Sequence, residues 1–169
     1  IADISVLASL PALASAGLNG NPVSDTSPLG KCVNLRFLDL CDVKGYDPAF
    51  LGELGDFEFL DLANDTDSFA HLGNRRVREL KLGYSGLDSL DWISGVAGLA
   101  SLEVKHSQLT SLKGIEAHQE LTCLNIAGCS IQDLSPVLLL PNLQTLVISE
   151  DMRPAFLALG NVSFTVSYE

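Results

Sequence analysis

The sequence predicts an α/β solenoid, with short parallel β-strands along one face and 3₁₀-like, extended or short helical returns along the other. Three observations predict it. Leu13, Leu35, Phe57, Val77, Leu99, Leu121 and Leu143 open similar segments at intervals of 22, 22, 20, 22, 22 and 22 residues. Three and five residues after each opening stands an apolar pair: Ala16/Leu18, Leu38/Leu40, Leu60/Leu62, Leu80/Leu82, Leu102/Val104, Leu124/Ile126 and Leu146/Ile148. Alternation of that kind means a strand with one face in the core and one in solvent. Beyond the pair, apolar residues recur every third position, as in Ile131, Leu134, Val137 and Leu140. A period of three suits a 3₁₀ or extended return better than an α-helix. One such coil cannot bury its own apolar face, so copies must stack.

The clearest copy is LTCLNIAGCSIQDLSPVLLLPN, residues 121–142, with the spacing LxxLxLxxCxIxxLxxLxxL. It resembles the short bacterial leucine-rich repeats of the internalin type, and IQDLSPV is close to that subclass's usual second half. The resemblance covers nearly the whole chain. It implies a non-enzymatic protein-interaction module that holds a protein ligand on its concave strand face. The chain differs from secreted internalins in its four cysteines and in lacking their helical N-terminal cap.

In chain order, IADISVLASLPA (residues 1–12) matches IQDLSPVLLLPN position by position, so the sequence opens in mid-repeat. The expected organisation is one leucine-rich repeat domain over 1–169. It comprises a partial repeat (1–12), six repeats (13–142), and a last strand with a C-terminal cap (143–169). The mid-repeat opening makes this the expected C-terminal part of a longer protein, with an enzymatic or signalling domain upstream as the alternative setting for a recognition domain. A purely structural spacer is the third reading. PAFLGEL, with proline in its first turn, is expected to form a short helix in place of the usual return. The 20-residue coil contains ANDTDSFAHLGNRR, an Asp/Asn-rich turn system where the solenoid should be least regular. His118 takes an inward apolar position, and Trp92 an outward one, over a groove between coils or against a partner. At the end, Ser149 or Asp151 caps a short helix from Pro154 to Leu159, Gly160 stops it, and a strand runs from Val162 to Val166.

A net charge of −11 and a pI near 4.5 argue against binding to nucleic acid or anionic membrane surfaces, which need a basic surface. A partner with a basic surface is the natural counterpart. No run of 18 apolar residues is present, so no helical membrane span is expected. Cys32 and Cys129 fall at inward positions. Cys41 and Cys123 lie on the strand face four coils apart, roughly 19 Å at about 4.8 Å per coil and beyond disulfide reach. Reduced thiols point to a cytoplasmic setting, with a secreted effector as the alternative.

No phosphate loop, GxSxG, HExxH or paired acid/base carboxylates occur, so neither enzyme nor cofactor is expected. What remains is the concave face, read as columns of equivalent positions. One column is Ser15, Phe37, Phe59, Glu79, Ser101, Cys123 and Thr145. The next is Gly17, Asp39, Asp61, Lys81, Glu103, Asn125 and Val147. Just past the strands runs Gly20, Asp42, Asn64, Tyr84, His106, Gly128 and Glu150. Phe37 and Phe59 stand side by side as a cross-strand pair or as an anchor for a partner. Asp39 and Asp61, adjacent like charges, need an offset, which a basic partner residue, Lys81 or Arg78 could supply. Their oxygens do not form a calcium-loop pattern. The candidate partner-binding set is Phe37, Asp39, Phe59, Asp61, Glu79, Lys81, Tyr84, Glu103 and His106, on a monomer. The run Arg75, Arg76, Arg78 reads as a solvated edge.

Overall fold

Parallel pairing of short strands every 20 or 22 residues can be satisfied only by an open coil stack, and the computed structural model has that form. It describes residues 1–65 and 71–169; part of the expected irregular turn, residues 66–70, lies outside them. Eight strands form one parallel sheet in sequence order: β1 (Ser15–Gly17), β2 (Phe37–Asp39), β3 (Phe57–Asp61), β4 (Val77–Lys81), β5 (Ser101–Glu103), β6 (Cys123–Asn125), β7 (Thr145–Ile148) and β8 (Thr165–Tyr168).

The register follows from the inner apolar pair. Leu38, Leu60, Leu80, Leu102, Leu124 and Leu146 stack as successive partners, and all six are fully buried. Leu40, Leu62, Leu82, Val104, Ile126 and Ile148 make a second buried column behind them. Each such side chain contributes roughly 1.5–3 kcal/mol on leaving water. A one-residue slip would turn both columns outward, so the register has no competitor.

The returns are short 3₁₀ turns at Ser5–Ser9, Ser27–Lys31, Pro48–Glu53, Ile93–Gly95, Ile115–Ala117 and Ser135–Leu139. PAFLGE is therefore a 3₁₀ turn like its neighbours rather than a departure from them. Most returns begin with a side-chain oxygen capping the N–H two residues on. Asp3, Asp25, Asp47 and Asp133 accept from Ser5, Ser27, Ala49 and Ser135 at 2.8, 3.0, 2.9 and 2.8 Å. Ser89 and Ser111 do the same for Asp91 and Lys113. Four of the 21 acidic residues thus serve as caps of the convex turns.

Arg75 is not a solvated edge. Its guanidinium donates to the carbonyls of Leu54, His71, Leu72 and Gly52 at 2.8–3.1 Å, which ties the shortened coil to the one before it. Trp92 is half-buried against the core, with Nε1 donating to the Ser89 carbonyl at 3.1 Å. His118 is buried, with Nε2 unpartnered. Burial holds its pKa below the ordinary value, only partly offset by a hydrogen bond with the Ile93 backbone and by Glu116.

The C-terminal cap is a 3₁₀ turn at Glu150–Met152, a helix α1 (Arg153–Leu157), and β8. The helix is shorter than expected and the strand lies later. β8 also does more than close the stack. Val166 and Tyr168 pair in register with Leu146 and Ile148, so the repeat geometry continues for one more 20-residue coil after the sequence pattern has faded.

Candidate functional site

Alternation sends one side chain in two out of the sheet, and the register brings the predicted columns into line. Phe37 pairs with Phe59 and Phe59 with Glu79; Asp39 pairs with Asp61, Asp61 with Lys81, and Lys81 with Glu103. The structure thus brings seven of the nine candidate residues together on β2–β5. Tyr84 and His106 stand on the rim just past β4 and β5.

Phe37 is 48% exposed, while Phe59 is half-buried beneath Lys81, whose ammonium lies 5.1 Å from the ring centroid. Phe37, Phe59, Glu58, Arg78, Glu79, Ala100, Ser101 and Thr122 line a trough of about 530 Å³ across the strands. Its ionic groups are matched internally: Arg78 with Glu58 at 3.8 Å and Lys81 with Glu79 at 3.7 Å. Further along the face, Lys105 reaches Glu169 at 3.6 Å.

The two aspartates differ from these groups. Asp39 Oδ1 accepts the Cys41 N–H at 3.0 Å, and Asp61 Oδ1 accepts the Ala63 N–H at 2.9 Å. Asn125, at the same place in β6, accepts the Ala127 N–H at 3.0 Å. Each side chain closes the turn at the end of its strand. No described cation comes within ion-pair distance of Asp39 or Asp61, since Lys81 is drawn to Glu79 and the Phe59 ring. Asp61 is only 9% exposed. Burial pushes its pKa up, opposed by the Ala63 hydrogen bond and the more distant Lys81 charge and reinforced by Asp39 and Glu103. Burial likewise raises the Cys41 thiol, with Asp61, Asp42 and Asp39 adding to it. All four cysteines are free.

The rim is a left-handed ladder. Gly20, Asp42, Asn64, Tyr84, His106 and Gly128 all have φ between 54° and 71°. The N–H groups of Gly20, Asp42, Asn64, Tyr84 and His106 donate to the carbonyls of Cys41, Ala63, Gly83, Lys105 and Ala127 in the next coil at 2.7–3.2 Å. Those bonds hold each residue in its turn. Gly, Asn and Asp accept this conformation readily; for other residues it costs roughly 1–2 kcal/mol. Tyr84 and His106 adopt it and stack, with ring centroids 4.7 Å apart and planes at 20°. On the far side His106 lies so close over Gly128 that a Cβ there would come within 2.3 Å of Nδ1. The Gly/Asp/Asn bias of this column is the sequence signal for the turn, whereas alternation alone marks only a row of displayed positions.

Among the described residues no group of three or more His, Cys, Asp or Glu could hold a metal ion, and no helix is long and apolar enough to cross a membrane.

The fold is that of a leucine-rich repeat solenoid, and it is similar to solved internalin structures. Internalin C2 of Listeria monocytogenes has the same fold, with a TM-score of 0.74 at 22% identity over 100% of this chain and 76% of its own. A second Listeria internalin, inlF, gives 0.67 at 19% over 99% of this chain and 60% of its own. The Arabidopsis receptor kinase HAESA, solved with the peptide hormone IDA and the co-receptor SERK1, gives 0.68 at 21% over 88% of this chain and 29% of its own. No protein-family model and no curated protein sequence matches the chain.

Proposed function

We propose that the chain is a protein-recognition module that holds a protein ligand on the concave face across β2–β5 and the adjoining rim. One observation carries this reading. Among the described residues, the two strongly exposed aromatics, Phe37 at 48% and Tyr84 at 53%, both stand on this face or its rim. Neither is needed to fill the core. Tyr84 is held there against a backbone preference, and aromatic anchors supply much of the energy of protein interfaces. The complexes of plant leucine-rich repeat receptors with peptide hormones support a protein or peptide ligand here, and the acidic charge favours a basic one. The four free thiols favour a reducing, cytoplasmic setting.

The test is a pull-down from the source cells with the wild-type chain beside a Phe37→Ala/Tyr84→Ala double variant, the retained proteins being identified by mass spectrometry. A protein held by the wild type and released by the variant is the expected result. Identical retention by both removes the concave face as the site.

A further inference from the structure

Asp39 and Asp61 carry more charge than their structural work needs. The turn each closes is closed equally well in β6 by the neutral amide of Asn125, through the same bond at the same length. Two carboxylates in register on adjacent parallel strands, about 4.8 Å apart, repel one another, and Asp61 is also largely desolvated. Their Oδ1 atoms are tied down alike, so the two carboxylates are oriented alike. Their second oxygens take no hydrogen bond from any described residue.

The neighbouring strand supplies an internal template for what is missing. Phe59 has a cation over its ring, Lys81. Phe37, its register partner beside Asp39, is half exposed with no described cation over it. An exposed aromatic face and two acceptors therefore stand at neighbouring outward positions of β2 and β3, a set that no described cation fills. A guanidinium matches it best, because it is planar, lies flat on a ring, and spreads five donors wide enough to bridge two carboxylates. An ammonium meets the same groups as a point charge.

We propose that the ligand presents an arginine, its guanidinium seated on the Phe37 ring and its N–H groups on the free oxygens of Asp39 and Asp61. This rests on the concave-face reading and adds the chemistry of the ligand's central contact. No bond is made or broken. The arginine neutralises a pair of charges that no described cation matches, beside the trough that Phe37 and Phe59 line.

The experiment is an amide-resolved NMR titration of the full chain with N-acetyl-arginine amide, N-acetyl-lysine amide and the neutral isostere N-acetyl-citrulline amide. The arginine compound is expected to give saturable shifts in residues 37–42 and 59–63, with the lysine compound weaker by about threefold or more and citrulline silent. Asp61→Asn, which keeps the turn as Asn125 does, should weaken arginine binding by about tenfold, the loss of one charge-assisted hydrogen bond. Phe37→Leu should weaken it by about threefold, and the convex variant Asp133→Asn should leave it unchanged. Equal response to arginine and lysine, an unaltered Asp61→Asn titration, or no saturable shift would overturn the proposal. A pull-down partner that depends on Phe37 and Tyr84, found beside a silent arginine titration, would remove the arginine while keeping the concave face.

Discussion

On the convex side Asp3, Asp25, Asp47 and Asp133 each accept the N–H two residues ahead. On the concave side Asp39 and Asp61 make the same local bond. The convex carboxylates stand in water, and hydrogen bonds from the following serine hold Asp3, Asp25 and Asp133 below their ordinary pKa. Asp61 makes one such bond too, yet burial pushes its pKa the other way. One side-chain motif at two depths thus gives opposite electrostatics. Where the turn faces solvent, the charge strengthens the cap; where it faces the sheet, the charge is left over. The first use belongs to folding and the second is available to binding.

The largest test of that contrast removes the cap altogether. Asp61→Ala leaves the N–H of the buried Ala63 without its acceptor, which costs about 1–3 kcal/mol. Asp133→Ala exposes an N–H that water can serve, so its cost is smaller. Urea unfolding should show the Asp61→Ala midpoint clearly below that of Asp133→Ala with similar slopes. Equal midpoints would mean that depth does not separate the two sets.

The rim sharpens the same contrast, because there the fold spends strain on the binding side. Gly128→Ala places a side chain in a left-handed position at a cost of about 1–2 kcal/mol. Its new methyl also claims the space of the His106 ring, 2.3 Å away. His106 must then leave Tyr84. The expected result is a loss of the ring-current shifts of the His106 protons in the NMR spectrum, together with weaker retention of the pull-down partner. Intact ring-current shifts would show that the stack does not depend on the space above Gly128.

Buried titrating groups give a third test, and their signs differ. Burial lowers the folded pKa of His118, so its contribution to stability is present above the unfolded value of 6.5 and is lost as pH falls below it. Asp61 is raised, so its contribution is complete below the unfolded value of 3.8 and is lost as pH rises through the folded pKa. Between pH 7 and 5 stability should therefore fall on account of His118, by about 1.4 kcal/mol for each unit of its shift once both states have titrated. His118→Leu should flatten that slope in urea midpoints taken across the range; an unchanged slope would assign it elsewhere.

The coil stack was legible because burial imposes a strict pattern. Leu38, Leu60, Leu80, Leu102, Leu124 and Leu146 could be placed from spacing alone. The outward columns followed from alternation, so Phe37, Phe59, Asp39 and Asp61 were correctly grouped. Their depth was hidden, because it depends on how neighbouring side chains close over a strand end. Asp39 and Asp61 look equivalent in sequence, yet Asp61 is the buried one. Arg75 was misread because its four carbonyl partners lie partly in another coil, and nothing in a charge run reports them. β8 was missed as a full coil because ordinary strand residues, Val166 and Tyr168, replace the leucines there while the backbone pairing persists.

The smallest expected effects decide the comparison most sharply, because they differ in sign. Asp61→Asn keeps the turn, as Asn125 shows, and removes a buried carboxylate repelled by Asp39. At pH 7 it should be neutral or stabilising, by up to about 1 kcal/mol for a like-charge pair on neighbouring strands. Asp133→Asn keeps its turn too, but it gives up a carboxylate that the Ser135 hydrogen bonds favour in the charged form, so it should be slightly destabilising. That difference should shrink as pH falls toward 3.8, since Asp61, whose pKa is raised, takes up its proton first, while Asp133, whose pKa is lowered, keeps its charge until pH falls below 3.8. Paired melting curves of the two asparagine variants and the wild type at pH 7 and pH 4 test this directly. If both substitutions shift stability in the same direction at pH 7, the division of aspartates between folding and binding fails. Opposite shifts that converge on acidification would mean that the concave pair is maintained at a cost to the free protein, one that a cationic ligand would relieve.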